Sequence, residues 1–162
     1  MRAHELIRQA RERAGLSAEE VAARVGLSAP EYIDVETHPD EFIEVIAVSE
    51  ARALCDELGL QLAEVVAGEP LEANLSTKPH ADRTMVPRDV RIRQKREALG
   101  ISVAELAFAI GFEDVAVENI EADEQYLDSL PIAVVAELAW KLSLPLTCLI
   151  LATERKPGPK AG

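Results

Sequence analysis

Residues 11–26 read RERAGLSAEEVAARVG and residues 96–111 read REALGISVAELAFAIG, so the chain contains one pattern twice. The repeat extends over residues 5–36 and 90–121. Its identical positions in the first copy are Ile7, Arg8, Gln9, Arg11, Glu12, Gly15, Ser17, Glu20, Ala22, Gly26 and Glu36. After a shift of one residue the match continues, and it pairs Leu54, Leu58, Leu60 and Leu62 with Leu138, Leu142, Leu144 and Leu146. A repeat of this length predicts two tandem copies of one fold unit.

The repeated pattern carries the signals that begin and end helices. Gly15 is a typical helix stop, and Ser17 with Glu20 three residues later forms a capping box for the next helix. Aromatic residues make up only 4% of the chain, so Leu, Ile, Val and Ala must form the core, which favours packed helices over strands. The sequence therefore predicts an all-α fold of two tandem domains with five helices each. The first helix should cover about residues 3–14, and the fourth should lie near residues 48–58 and 131–142.

The repeat also predicts the domain boundaries. The two copies correspond to domains at residues 1–67 and 87–152. Residues 68–86 contain prolines, a glycine and polar residues without periodicity, which is typical of a linker. Residues 153–162 include Lys156-Pro157-Gly158-Pro159-Lys160, and we expect them to be a disordered tail.

Composition and motifs argue against several classes of protein. The chain has 17 Lys and Arg against 29 Asp and Glu, a formal net charge of −12, so its surface should repel phosphates and attract basic partners. Prolines and charged residues interrupt the most apolar stretch, residues 130–152, which therefore predicts core helices and no membrane span. Two isolated cysteines and no visible targeting segment indicate a cytoplasmic protein. Without a glycine-rich phosphate loop, a GxSxG motif or a cluster of His, Cys and Asp, we expect no enzyme activity, cofactor or metal.

The order Arg-x3-Gly-φ-Ser-x2-Glu-φ-Ala-x2-φ-Gly, followed by φ-x2-Glu, occurs in both copies, where φ is an apolar residue. It resembles the Xre/Cro-type, or phage-repressor-like, helix-turn-helix family. The resemblance implies that the second and third helices form the helix-turn-helix, with the third helix entering the major groove of DNA. It also implies two structural ion pairs, Arg11 with Glu36 and Arg96 with Glu121.

The positions that read DNA in this family carry different residues here. Ala18 and Val103 stand where the family often has a phosphate-binding glutamine. The base-reading positions that the resemblance implies hold Ala29, Pro30 and Asp34 in the first copy and Asp114, Val115 and Asn119 in the second. Only Asn119 among them could make a bidentate contact to adenine, and carboxylates on this face would be repelled by phosphates. We therefore expect the third helices to bind a partner through Ser28, Glu31, Asp34, Glu113, Asp114, Glu118 and Asn119.

Two hypotheses for the function follow. The first is a non-enzymatic binding protein that contacts a basic protein, in an antitoxin-like or immunity-like role or as a regulator of another regulator. The alternative is a DNA-binding transcriptional regulator of the Xre family. Under either hypothesis we expect the copies to pack against each other or against another chain. The residues expected at such a contact are among Leu144, Leu146, Leu149, Ile150, Leu151, Val65 and Val66, whereas Trp140 belongs either to the core or to a contact.

Overall fold

The computed structural model describes residues 1–71 and 86–152, and the regular secondary structure in these ranges is helical. The first half contains α1 (Ala3–Ala14), α2 (Ala18–Val25), α3 (Ala29–Thr37), α4 (Glu41–Glu44), α5 (Val48–Glu57) and α6 (Leu62–Ala67). The second half contains α7 (Arg88–Ala98), α8 (Val103–Ile110), α9 (Asp114–Ile120), α10 (Glu124–Asp128), α11 (Ile132–Lys141) and α12 (Thr147–Ile150). The all-α class predicted from the sequence is confirmed. Most of the expected linker, residues 72–85, and the expected tail, residues 153–162, lie outside the described residues.

Local cap chemistry explains where the first helices begin and end. α1 ends at Gly15, whose φ of 69° lies in the left-handed region that glycine adopts without steric cost. The Ser17 hydroxyl then accepts a hydrogen bond from the Glu20 amide at 3.1 Å, while the Glu20 carboxylate accepts one from the Ser17 amide at 2.7 Å. Ser102 and Glu105 make the same two bonds in the second half. These reciprocal bonds satisfy amides that the first turn of a helix leaves without partners.

Within the part of the chain that the structure describes, each half has one helix more than the five that the pattern predicts. The additional helices, α4 and α10, are only four and five residues long and lie between the third and fourth expected helices. Phe42 and Ile43 of α4 and Leu127 of α10 are buried. Packing of these side chains stabilises the short helices, because a single helical turn is not stable on its own.

The two halves contact each other at equivalent positions. Ala47 and Pro131 form an isolated antiparallel bridge, and the Val48 amide donates to the Leu130 carbonyl at 3.0 Å. In the shifted register of the repeat, Ala47 corresponds to Pro131. α4 packs on α11 and α10 packs on α5. Since α10 is the counterpart of α4 and α11 is the counterpart of α5, these two contacts are equivalent. Two like surfaces that meet in this reciprocal way indicate a pseudo-two-fold axis through the bridge.

An ionic cluster flanks this contact. Arg52 of α5 reaches across to Asp128 of α10 at 2.9 Å and donates to the Ile150 carbonyl at 2.9 Å. Arg88 of α7 binds the same carboxylate at 2.6 and 2.9 Å and donates to the Leu149 carbonyl at 2.9 Å. Burial alone would raise the pKa of Asp128, but the hydrogen bonds from the two arginines outweigh burial and hold this pKa below its ordinary value. The Asp128 carboxylate therefore joins the two halves as an anion.

The apolar residues expected at a contact have different environments. Leu146, Leu149, Ile150, Val65 and Val66 are buried, and Leu144 and Leu151 are half-buried against the core. The carbonyls at the end of α12 bind arginines of the ionic cluster, so α12 lies beside the contact between the halves. Trp140, in contrast, is 47% exposed and lies on the outside of α11. None of the helices among the described residues is both long and apolar enough to cross a membrane.

Candidate functional site: the outer faces of α3 and α9

An arginine–glutamate pair connects α3 to α1 in the first half. The Arg11 guanidinium donates to both carboxylate oxygens of Glu36, at 2.7 and 2.9 Å, and its remaining nitrogen donates to the Leu16 carbonyl at 3.0 Å. The buried Tyr32 hydroxyl donates to the same carboxylate at 2.6 Å. Burial, together with this bond to an anion, raises the pKa of Tyr32 well above its usual range. The network fixes the end of α3 to the inner side of the domain, so that the opposite side of α3 faces solvent.

The second half repeats this pair. Arg96 donates to both carboxylate oxygens of Glu121 at 2.6 and 2.9 Å and to the Ile101 carbonyl at 2.9 Å. Both side chains are about nine-tenths buried. Val117 occupies the position that corresponds to Tyr32, so the third member of the network is present only in the first half.

The candidate residues of the first half lie at the start and on the outside of α3. Ser28 caps the helix: its amide donates to the Glu31 carboxylate at 2.7 Å, and the Glu31 amide donates back to its hydroxyl at 3.4 Å. Hydrogen bonds from the Ser28 side chain and backbone hold the pKa of Glu31 below its ordinary value. Asp34 is half exposed, and its carboxylate lies 3.6 Å from the imidazole of His38. The exposed face of α3 also includes Pro30 and Ile33.

The candidate residues of the second half lie on the corresponding face of α9. Glu113 is the N-cap residue of α9 but makes no side-chain capping bond. Asp114, Glu118 and Asn119 are exposed. Val115, between the acidic residues, is 53% exposed. Since α3 packs on α1, α2 and α4, and α9 on α8 and α10, each face belongs to its own half of the chain.

The sequence segments that contain both faces lack Lys and Arg. No Lys or Arg occurs in residues 25–51 or in residues 97–140, which include α3 and α9 entirely. Arg24, at the edge of the first region, is held by Glu57 at 2.6 Å. The net charge of each half does not reveal these segments without Lys or Arg, but the positions of Lys and Arg along the sequence do.

Carboxylates of the chain itself bind the N-cap amide at the start of α2, α3 and α8. Helix N-termini of this kind commonly bind phosphate through free amide groups. Here Glu20, Glu31 and Glu105 each accept from the serine amide at the start of their own helix at 2.7 Å. A phosphate at any of these helices would approach the negative charge of that carboxylate.

Other chemistry has little support among the described residues. No group of three or more His, Cys, Asp or Glu side chains in residues 1–71 and 86–152 is arranged to hold a metal ion. Cys55 and Cys148 are both buried, and burial with the nearby Asp56 raises the pKa of the Cys55 thiol to about 12. A thiol with this pKa stays protonated at neutral pH and is a poor nucleophile.

No protein-family model, curated protein or solved structure matches the chain.

Proposed function

We propose that the chain is a non-enzymatic binding protein whose α3 and α9 faces contact a basic protein partner. The observation that carries the proposal is the charge of these faces. They expose Glu31, Asp34, Asp114 and Glu118, and the sequence segments that contain them, residues 25–51 and 97–140, have no Lys or Arg. The helix-turn-helix resemblance of each repeat then describes a scaffold that presents two acidic helices.

The electrostatics favour a protein partner over nucleic acid. Most of the affinity of DNA-binding proteins comes from Lys and Arg that neutralise phosphates. A helix that enters the major groove lies between two rows of phosphates, and carboxylates at its surface would lose hydration there and gain like-charged neighbours. If the same carboxylates faced Lys and Arg side chains of a partner protein, the attraction would accelerate association of the two proteins and make their binding sensitive to salt. An antitoxin-like or immunity-like protein, or a regulator of another regulator, would use such a surface.

Charge reversal at the two faces tests the proposal. Partners would be isolated with the tagged chain and identified, and binding of each purified partner would then be measured by calorimetry at increasing salt. We expect a basic partner whose affinity falls with salt and falls further for Asp34→Lys and Glu118→Lys. Glu64→Lys, at an exposed position on α6, is the control for total charge and should have a much smaller effect. Equal losses for all three variants would contradict the assignment of the binding surface.

The alternative of an Xre-type transcriptional regulator is favoured by one observation. Asn119 is exposed on α9, and an asparagine can make two hydrogen bonds to adenine. A selection from random DNA duplexes tests this alternative. An enriched sequence whose binding is lost in Asn119→Ala would replace the first proposal, whereas we expect no enrichment and weak binding at physiological salt.

A further inference from the structure

A cavity of about 380 Å³ opens between α11 and the residues that follow α6, and its lining includes none of the candidate residues of α3 and α9. One wall is the outer side of α11, with Ala133, Val134 and Trp140, and Ile110 of α8 contributes next to it. The other wall is formed by Pro70 and Leu71, which follow α6 of the first repeat. We call this cavity the α11 groove. Its volume lies within the range of pockets that bind ligands or anchoring side chains.

The first repeat is an internal comparison for this groove, because its fold is the same and its surface is different. At the positions that correspond to Val134 and Trp140, the first repeat has Glu50 and Asp56. Glu50 accepts from the Ala47 amide at 3.0 Å, so a glutamate at this position is compatible with the helix. The fold therefore does not require apolar residues here, and their presence only in the second repeat suggests a function.

Trp140 has the properties of an anchor at a binding surface. Its side chain is 47% exposed, although a large aromatic ring gains most from burial. The Lys141 ammonium lies 4.2 Å from the centre of the ring, a cation–π contact that helps to hold the indole in place. Tryptophan in such a position is common where proteins make their strongest contacts.

Contacts of residues 69–71 with the core hold one side of the groove in place. Glu69 is buried at the start of α1, where it accepts from the Ala3 amide at 2.5 Å and lies 3.4 Å from the Arg2 guanidinium. Two residues later, Leu71 packs against the core beside the groove. The space between Leu71 and Trp140 is lined largely by apolar side chains, which suits an aliphatic side chain.

The net charge of the chain favours a different protein over a second copy of the chain as the occupant of the α11 groove. Two copies would each bring a formal charge of −12 and would repel. The charged side chain that lines the groove is Glu137, which is exposed on α11 and can pair with a cation at the rim.

We propose that the α11 groove binds an amphipathic segment of a protein partner, with an aliphatic side chain against Trp140 and Val134 and a Lys or Arg near Glu137. The proposal rests on the proposed function in taking the partner to be basic. It adds a second, apolar contact surface. None of the residues at the positions that read DNA in the helix-turn-helix family lines this surface.

Trp140 is the only tryptophan of the chain, so its fluorescence reports on the groove directly. The probe is a short helix-forming peptide of leucine and lysine, with leucine at every third or fourth position, and the matched peptide has glutamate in place of lysine. We expect the leucine–lysine peptide to shift the Trp140 emission to shorter wavelength in a saturable way, and the leucine–glutamate peptide to have no effect.

Two variants locate the site. Val134→Glu copies the residue of the first repeat and places a carboxylate in the apolar wall, so we expect the dissociation constant to rise about tenfold or more. Ala104→Glu adds the same charge at an exposed position of α8 and should leave the affinity unchanged. Circular dichroism melting of both variants checks that they fold.

Several results would overturn the inference. These are a peptide titration that leaves the Trp140 emission unchanged, equal affinity of Val134→Glu and the unchanged chain, or an equal emission shift with the glutamate peptide. A dimer in sedimentation that Val134→Glu dissociates would make a second copy the occupant instead. Asp34→Lys and Glu118→Lys lie outside the groove and should not affect the peptide titration, so failure here is distinguishable from failure of the proposed function.

Discussion

Replacing Glu121 by alanine should strongly destabilise the protein, because it leaves a buried arginine without its anion. Glu121 accepts both short bonds from Arg96, and only 11% of the Arg96 side chain is exposed. Breaking a buried ion pair by removing one partner typically costs about 3–5 kcal/mol. That is a large part of the roughly 5–15 kcal/mol by which native domains are stable, and it corresponds to a decrease in melting temperature of about 6–20 °C.

The same arginine offers a matched control. Glu97 lies 3.9 Å from Arg96, but its side chain is 62% exposed. An exposed pair of this kind contributes only about 0.2–1 kcal/mol, so Glu97→Ala should unfold at nearly the same urea concentration as the unchanged protein. Urea denaturation followed by circular dichroism measures both variants, and the slope of each transition checks that the unfolded states are comparable.

Two outcomes would contradict this reasoning. If Glu121→Ala and Glu97→Ala lost the same small amount of stability, water would have to reach Arg96 in the folded protein. If the double variant Arg96→Met with Glu121→Leu were as unstable as Glu121→Ala, the loss would reflect packing and not the unpaired charge, since well-packed apolar replacement of a buried pair is often neutral.

Three further predictions use other parts of the structure. Tyr32→Phe should cost about 1.5–3 kcal/mol in urea denaturation, because it removes a hydrogen bond to the charged Glu36, and an unchanged midpoint would show that Arg11 alone suffices. Ser102→Ala removes the N-cap of α8 and should cost about 0.5–2 kcal/mol in the same assay. The lowered pKa of Asp128 stabilises the fold at pH values above the unfolded pKa of about 3.9, and this stabilisation is lost as the pH falls through the pKa of the folded state. Asp128→Asn should therefore lose less stability than the unchanged protein when the pH is lowered. Parallel curves of stability against pH would show that Asp128 does not cause the acid sensitivity.

The parts of the fold that could be predicted are those determined by residues close in sequence. α1 covers residues 3–14 as expected, because Gly15 ends it whatever surrounds the helix. Ser17 and Glu20 define the start of α2 in the same local way. The short helices α4 and α10 could not be predicted, because they lack a periodic pattern and depend on burial of a few side chains in the assembled core.

The ion-pair partners of individual charged residues depend on tertiary structure and could not be predicted from the sequence. Arg24 and Arg52 are both arginines on helices of the first repeat, with nothing in their neighbours to separate them. Arg24 pairs with Glu57 of its own half, whereas Arg52 crosses to Asp128 of the other half. Trp140 likewise could belong to the core or to a contact, and only its position on the outer side of α11 distinguishes the two. For the candidate site, the acidic residues and the capping of α2 and α8 were visible in the sequence, but the capping of α3 by Ser28 and Glu31 was not.

The bridge between Ala47 and Pro131 has a consequence for how this protein can change over generations. In a symmetric dimer of identical chains, every substitution appears on both subunits, so a new surface on one side is also imposed on the other. Here the equivalent elements meet in the same reciprocal manner but are encoded separately. Selection can therefore keep the central contact alike in both repeats while it alters the periphery of one repeat alone. The two repeats differ at such a position, with a glutamate at 50 and a valine at 134.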